Sequence, residues 1–231
     1  MAEDTKYFEK QKQFWERDQL VKRRSPQHPV IREYVVSKIE EIRKHIPIEK
    51  NTRLLDVGCG NGFFTYYFDQ LCDVYGIDFS EKMIELNPIK NKAVMNAENL
   101  KFENNSFDVI FCHALLHHVD DIDQVIQEMK RVSRKWIVLL EPNRNNPLMF
   151  LFSLLVKEEW KAMRFSVRYM KRFVEQNGLK TYKSFSYGMI VPNKTPIFAL
   201  PFFRLFNFIQ PFGMTNFIIA LKSDETFISG K

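Results

Sequence analysis

Apolar positions along the chain first follow a helical rhythm. Over 30–46 they recur at Ile31, Tyr34, Val35, Ile39, Ile42 and Ile46, which is one face of a helix. Pro29 can open that helix and Pro47 ends it. The rhythm then shortens. Apolar runs at 54–57, 74–77, 92–95, 107–112 and 136–140 read as strands, with helical stretches over 61–71, 81–86 and 122–132 between them. Ser80 can cap the second of these helices. Past Pro142 a helix is expected over 167–176, ended by Gly178, and closing strands over 180–187 and 217–221. Strands alternating with helices imply βαβ units. The expected fold is α/β: a doubly wound, mostly parallel, seven-stranded, Rossmann-like sheet with an antiparallel closing strand.

The first strand breaks into R-L-L-D-V-G-C-G-N-G-F-F, with Gly58, Gly60 and Gly62 at alternate positions. Glycines at the carboxyl end of a strand in an open α/β sheet let a ligand approach the main chain, and the next helix can present free N–H groups. A dinucleotide turn would read G-x-G-x-x-G, but Phe63 stands where its third glycine belongs. Asp56, two residues ahead of the first glycine, would repel phosphates and suits an ammonium group.

D-V-G-C-G-N-G resembles the first motif of the class I S-adenosylmethionine-dependent methyltransferases. Three further stretches fit the resemblance. Asp78 closes V-Y-G-I-D-F-S, 20 residues after Gly58. M-N-A-E-N-L, 95–100, stands where the family usually has Asp-Ala, with Asn96 in place of the Asp. S-F-D-V-I followed by H-A-L-L-H-H-V, 113–119, is similar to the small-molecule branch that includes ubiquinone and menaquinone biosynthesis enzymes. Together these cover roughly residues 50–142. The resemblance implies S-adenosylmethionine as cofactor, S-adenosylhomocysteine as product, and these cofactor contacts: Asp56, Gly58, Gly60, Asp78, Phe79, Met83, Asn96, Ala97, Glu98 and the backbone of His113. Asp56 would serve the ammonium end, Asp78 the ribose hydroxyls, and Phe79 and Met83 the adenine.

Candidate catalytic groups are His113, as a general base at the end of the fourth strand, and His117, facing substrate. Glu141 follows the fifth strand and could position a substrate group. His117 and His118 with Asp120, Asp121 and Asp123 invite a metal reading. Adjacent histidines on a helix point in different directions, and the Asp run reads as a helix cap and first turn, so no metal is expected.

Composition refines this picture in three places. Among 231 residues, 22 are Phe, which fits either a Phe-built core or a greasy pocket. The net charge of +6, with Lys and Arg spread along the chain, admits an anionic partner, nucleic acid or membrane. Cys59, Cys72 and Cys112 form no C-x-x-C pair, against a disulfide framework or zinc site. The charged opening has no secretory pattern, and the longest greasy stretch, 148–156, is far short of the roughly 20 residues that span a bilayer. A cytoplasmic protein is expected.

The chain reads as a single domain over 1–231. Residues 1–49 form an N-terminal helical cap, 50–142 the cofactor-binding core, and 143–231 a C-terminal half with a Phe-rich helical insertion at about 188–213. That insertion, with 148–156, could roof an apolar pocket, pack on the sheet as a lid, or make peripheral contact with a membrane. Tyr7, Phe14 and Trp15 could cover the cofactor. The expected function is methyl transfer to a small, apolar or lipid-like acceptor. An RNA or protein methyltransferase, or a non-catalytic relic of the fold, is the alternative. No RNA-binding module accompanies the core, no DNA contact is expected, and the oligomeric state stays open.

Overall fold

The computed structural model describes residues 23–222; Tyr7, Phe14 and Trp15 lie outside them. One seven-stranded sheet organises the chain. Its strands are β1 (Arg53–Val57), β2 (Asp73–Asp78), β3 (Lys92–Val94), β4 (Phe107–His113), β5 (Ser133–Pro142), β6 (Leu179–Tyr187) and β7 (Thr215–Lys222). The order is β3-β2-β1-β4-β5-β7-β6. The pairings among β1 to β5 are parallel, and β7 runs antiparallel to both β5 and β6. This is the doubly wound arrangement expected from the sequence, with one antiparallel strand.

The α-helices among the described residues are α1 (Pro29–Arg43), α2 (Thr65–Phe68), α3 (Glu81–Leu86), α4 (Ile122–Val132), α5 (Pro147–Leu155), α6 (Val167–Gln176) and α7 (Leu200–Arg204). Both faces of the sheet are covered, so its strands read as continuous apolar runs. On one face Ile31, Val35 and Ile42 of α1 pack with Leu54, Val109, Phe111 and Val138. On the other, Val125 and Met129 of α4 and Met170 and Val174 of α6 pack with Leu55, Ile110, Ile137 and Ile218. Asp121 caps α4 by accepting from the Gln124 N–H at 2.8 Å, and Ser80 caps α3 through the Met83 N–H. Gly178 ends α6 at φ +75°.

Two elements differ from expectation. The helix expected over 61–71 contracts to the four residues of α2. Gly60 and Gly62 adopt φ of +51° and +89°, which a right-handed helix cannot contain. A side chain at Gly62 would stand 2.6 Å from Asn87 Oδ1, so the tight turn is sterically required. The 188–213 insertion is an irregular excursion carrying α7, and Phe198, Phe202, Phe208 and Phe212 point outward. No helix among the described residues is long and apolar enough to cross a membrane.

Candidate active site

The sheet order reverses between β1 and β4, and ligands of open α/β sheets bind beyond the strand ends at such a point. A hollow open to solvent lies there. Gly58, Asp78, Phe79, Asn96, Ala97 and Glu98, all expected from the sequence, line it. Ile77, Met95, Leu115, His118, Val119 and Asp120 complete the wall and were not singled out as ligand contacts. Asp56, Gly60, Met83 and His113, also expected as contacts, do not line it; Asp56 and Met83 are buried.

The glycine bend is built by hydrogen bonds. The N–H groups of Gly58 and Cys59 both donate to the Ile77 carbonyl, at 2.8 and 2.9 Å. Asp78 Oδ2 accepts from the Gly60 N–H at 2.8 Å, and Oδ1 from the Ser80 N–H at 2.9 Å. The Phe79 N–H bonds Asp78 as well, and a carboxylate has about four lone-pair sites, so about one remains for a ligand hydroxyl. Burial raises the Asp78 pKa, against its backbone bonds and the nearby Arg23 charge. The turn therefore does not offer a long helix's free N–H groups to an anion, as the sequence suggested; α2 is too short, and Asp78 itself takes the Gly60 N–H.

Asp56 is 2% exposed, and its Oδ2 has no hydrogen-bond partner. Burial pushes its pKa up to about 7, the Asp78 charge adds to this, and hydrogen bonds from Thr65 oppose it. A buried carboxylate oxygen left without a donor is costly unless a cation or donor arrives.

Arg23 was not foreseen. Its guanidinium lies over the bend: Nε donates to Asn61 Oδ1 at 2.8 Å, and a side chain at Gly60 would meet Nη2 at 3.0 Å. The segment around it is strapped down. Tyr67 donates to the Pro26 carbonyl at 2.9 Å, and Arg24 Nη1 to the carbonyls of Pro192 and Thr195 at 2.8 and 2.9 Å.

The histidines separate into two environments. His113 points to the α1 side of the sheet, where its Nε2 is 2.8 Å from the Tyr34 hydroxyl and its ring packs on Phe64. Burial, then the charges of Lys38 and Arg23, drive its pKa well down, so the ring is neutral. Lys38 is itself 1% exposed, its Nζ 3.6 Å from the Tyr34 ring centroid. Burial brings its pKa down to about 7.

His117 lies between two carboxylates. Its Nδ1 is 2.5 Å from Glu141 Oε2, and its Nε2 is 3.3 Å from Glu159 Oε2. Burial opposes the charge, yet Glu141 and Glu159 outweigh it and raise the pKa to about 10. Glu141 Oε1 also accepts from the N–H groups of Leu115 and Leu116, at 3.1 and 2.8 Å, fixing the loop that lines the hollow. His117 thus sits behind the wall, and His118 faces the hollow. Residues Leu116–His118 form a 3-10 turn rather than an α-helix, which brings the two rings to 3.9 Å. His117, His118 and Glu159 each offer a ligand atom within 4.8 Å of one another.

Comparison with known proteins agrees with this geometry. Residues 55–136 match the family model described as a methyltransferase domain. Over that segment the chain is similar to methyltransferase domains. Among sequence relatives, the demethylmenaquinone methyltransferase of Staphylococcus haemolyticus is 30% identical over 146 residues. That match covers 58% of this chain and 58% of the relative, so the chain spans under two thirds of the relative's length. Among solved structures, a methyltransferase of Thermotoga maritima superposes with a TM-score of 0.66 at 20% identity, covering 84% of this chain and 91% of that one. Magnesium protoporphyrin IX methyltransferase of Synechocystis, with bound S-adenosylmethionine, gives 0.55 at 16%, covering 84% and 81%. These two similarities establish the methyltransferase fold, and the hollow is where that fold's strands end.

Proposed function

We propose that the chain is an S-adenosylmethionine-dependent methyltransferase acting on a small, lipid-like acceptor of quinone type. One observation carries the cofactor half: a hollow lined by Asp78 at the strand ends, with the unpartnered carboxylate oxygen of Asp56 behind a bare glycine bend. The residues fit the donor's chemistry. Asp78 has a lone pair left for a ribose hydroxyl, Phe79, Met95, Ala97 and Leu115 supply apolar surface for the base, and Asp56 supplies charge for the ammonium. Arg23, over Gly60, supplies the opposite charge for the carboxylate.

When bound, the donor supplies a methyl group already activated on a sulfonium, for in-line displacement. The protein's own work is alignment and exclusion of water. His117, as an imidazolium held by Glu141 and Glu159, has no lone pair to accept a proton, so it positions the 115–118 loop. Neutral His113, oriented by Tyr34, is the candidate base where the acceptor must lose a proton.

The acceptor class is supported by the name of the staphylococcal relative. An assay with S-adenosylmethionine and demethylmenaquinol tests it, reading S-adenosylhomocysteine release. Turnover that disappears in Asp78→Ala supports the reading. Donor binding without turnover on quinols rejects this acceptor and leaves the cofactor assignment standing.

A further inference from the structure

Helix α5 reads P-L-M-F-L-F-S-L-L, apolar on every side. A helix of that composition belongs in a core or in lipid. Yet only Ser153 of its nine residues is buried, and Leu155 is 75% exposed. The excursion around α7 behaves the same way, with Phe198 at 87% and Leu205 at 72%. Of the seventeen exposed large hydrophobic residues among those described, seven lie in 148–160 and seven in 197–212. The two segments meet at one corner. Asn146, the cap of α5, donates to the Phe212 carbonyl at 2.6 Å, and Asn143 to the Pro211 and Gly213 carbonyls at 3.1 and 2.8 Å.

Charge indicates what covers this face. Residues 143–213 hold eleven Lys and Arg against three Glu, a net +8, so the other residues sum to −2 of the chain's +6. Arg144, Arg164 and Lys194 are exposed beside the apolar segments, and Arg144 Nη1 reaches the Met163 carbonyl at 3.3 Å. Exposed apolar surface ringed by cations matches an anionic lipid surface. A second copy would bring like charge against like, and a nucleic acid would leave the aliphatic side chains in water. Nine residues cannot span a bilayer, so the helix would lie on it.

We propose that α5 and the 197–212 excursion form a docking face for an anionic bilayer surface. This deepens the lipid-like acceptor reading. The face also connects to the site: α5 leads into the 3-10 stretch Lys157–Arg164, whose Glu159 holds His117 and whose Lys161 pairs with Asp120 at 2.6 Å on the wall of the hollow. A bilayer under this face would hold an apolar acceptor next to the methyl donor.

The test is co-sedimentation of the full chain with phosphatidylglycerol-containing vesicles and with phosphatidylcholine vesicles, without methyl donor or acceptor. Partitioning should be about tenfold or more stronger on the anionic vesicles and fall steeply with salt. Leu155→Glu with Phe198→Glu should weaken it about tenfold or more, with circular dichroism and S-adenosylhomocysteine affinity unchanged. Arg144→Glu with Arg164→Glu, which keeps the apolar face, should abolish the anionic preference. No partitioning of the wild type, partitioning indifferent to both double variants, or a solution dimer dispersed by Leu155→Glu with Phe198→Glu would overturn the proposal. Because vesicle binding needs no turnover, its failure is distinct from failure of the acceptor reading.

Discussion

The strand-end hollow and the 143–213 face treat polarity in opposite ways. The strand ends bury charge: Asp56 precedes Gly58 by two residues, Asp78 accepts from the Gly60 N–H, and both are nearly sealed from water. The second region exposes apolar side chains and surrounds them with cations. Both arrangements cost free energy in the isolated chain, one by desolvating carboxylates and the other by wetting hydrocarbon. In the proposed readings each cost would be recovered on binding, of a cationic small molecule in the first case and a lipid surface in the second. Sites announce themselves where a chain breaks the folding rule that suits each residue type.

The comparison can be broken most sharply at Asp78. Asp78→Ala should weaken S-adenosylhomocysteine binding by about 3 kcal/mol, roughly 100-fold, since it removes a charged acceptor and frees the Gly60 N–H. Unchanged affinity by calorimetry would take Asp78 out of the site.

Asp56 should trade function against stability. Its folded pKa, about 7, lies above the ordinary 3.8, so the buried charge costs stability above the lower value, with the full cost reached above 7. Asp56→Asn should therefore raise the melting temperature at pH 8 while weakening donor affinity about tenfold. A variant that loses stability at pH 8 would contradict this.

The same carboxyl group sets a pH profile. A bound ammonium draws its pKa down, so binding below pH 7 releases a proton. Affinity should fall by up to about tenfold per pH unit below 7 and level off above it. Titrations in buffers of different ionisation heat would show the proton, and Asp56→Asn should flatten the profile.

On the opposite face of the sheet, Lys38 gives a smaller effect of stability alone. Its folded value, about 7, lies below the ordinary 10.5, so stability falls as pH drops from 10.5 to 7. Lys38→Met should stabilise the chain at pH 7 by about 1–4 kcal/mol in denaturant melts. Destabilisation would mean that its seat over the Tyr34 ring outweighs desolvation.

The two regions also differed in legibility. Strands β1 to β5 follow from local apolar runs, and the Asp56–Gly62 and Asp78 pattern marks the site because strand, turn and ligand chemistry are neighbours in sequence. Arg23, Lys38 and Glu159 were not legible: each reaches its partners only through tertiary packing, and Lys38 interrupts an otherwise apolar helix face. The 61–71 helix was overread because the positive φ of Gly62 unwinds its first turn. The paired histidines were expected to diverge, which holds for an α-helix and fails in the tighter 3-10 turn. The Lys and Arg residues are indeed spread along the chain; what makes 143–213 basic is the scarcity of acids, three of 28.

The measurement that most directly tests the central claim is a calorimetric titration of S-adenosylhomocysteine into the wild-type chain, repeated in the presence of NADH. One equivalent should bind with NADH exerting no competition. Absence of binding heat, or displacement by NADH, would contradict the assignment of the hollow.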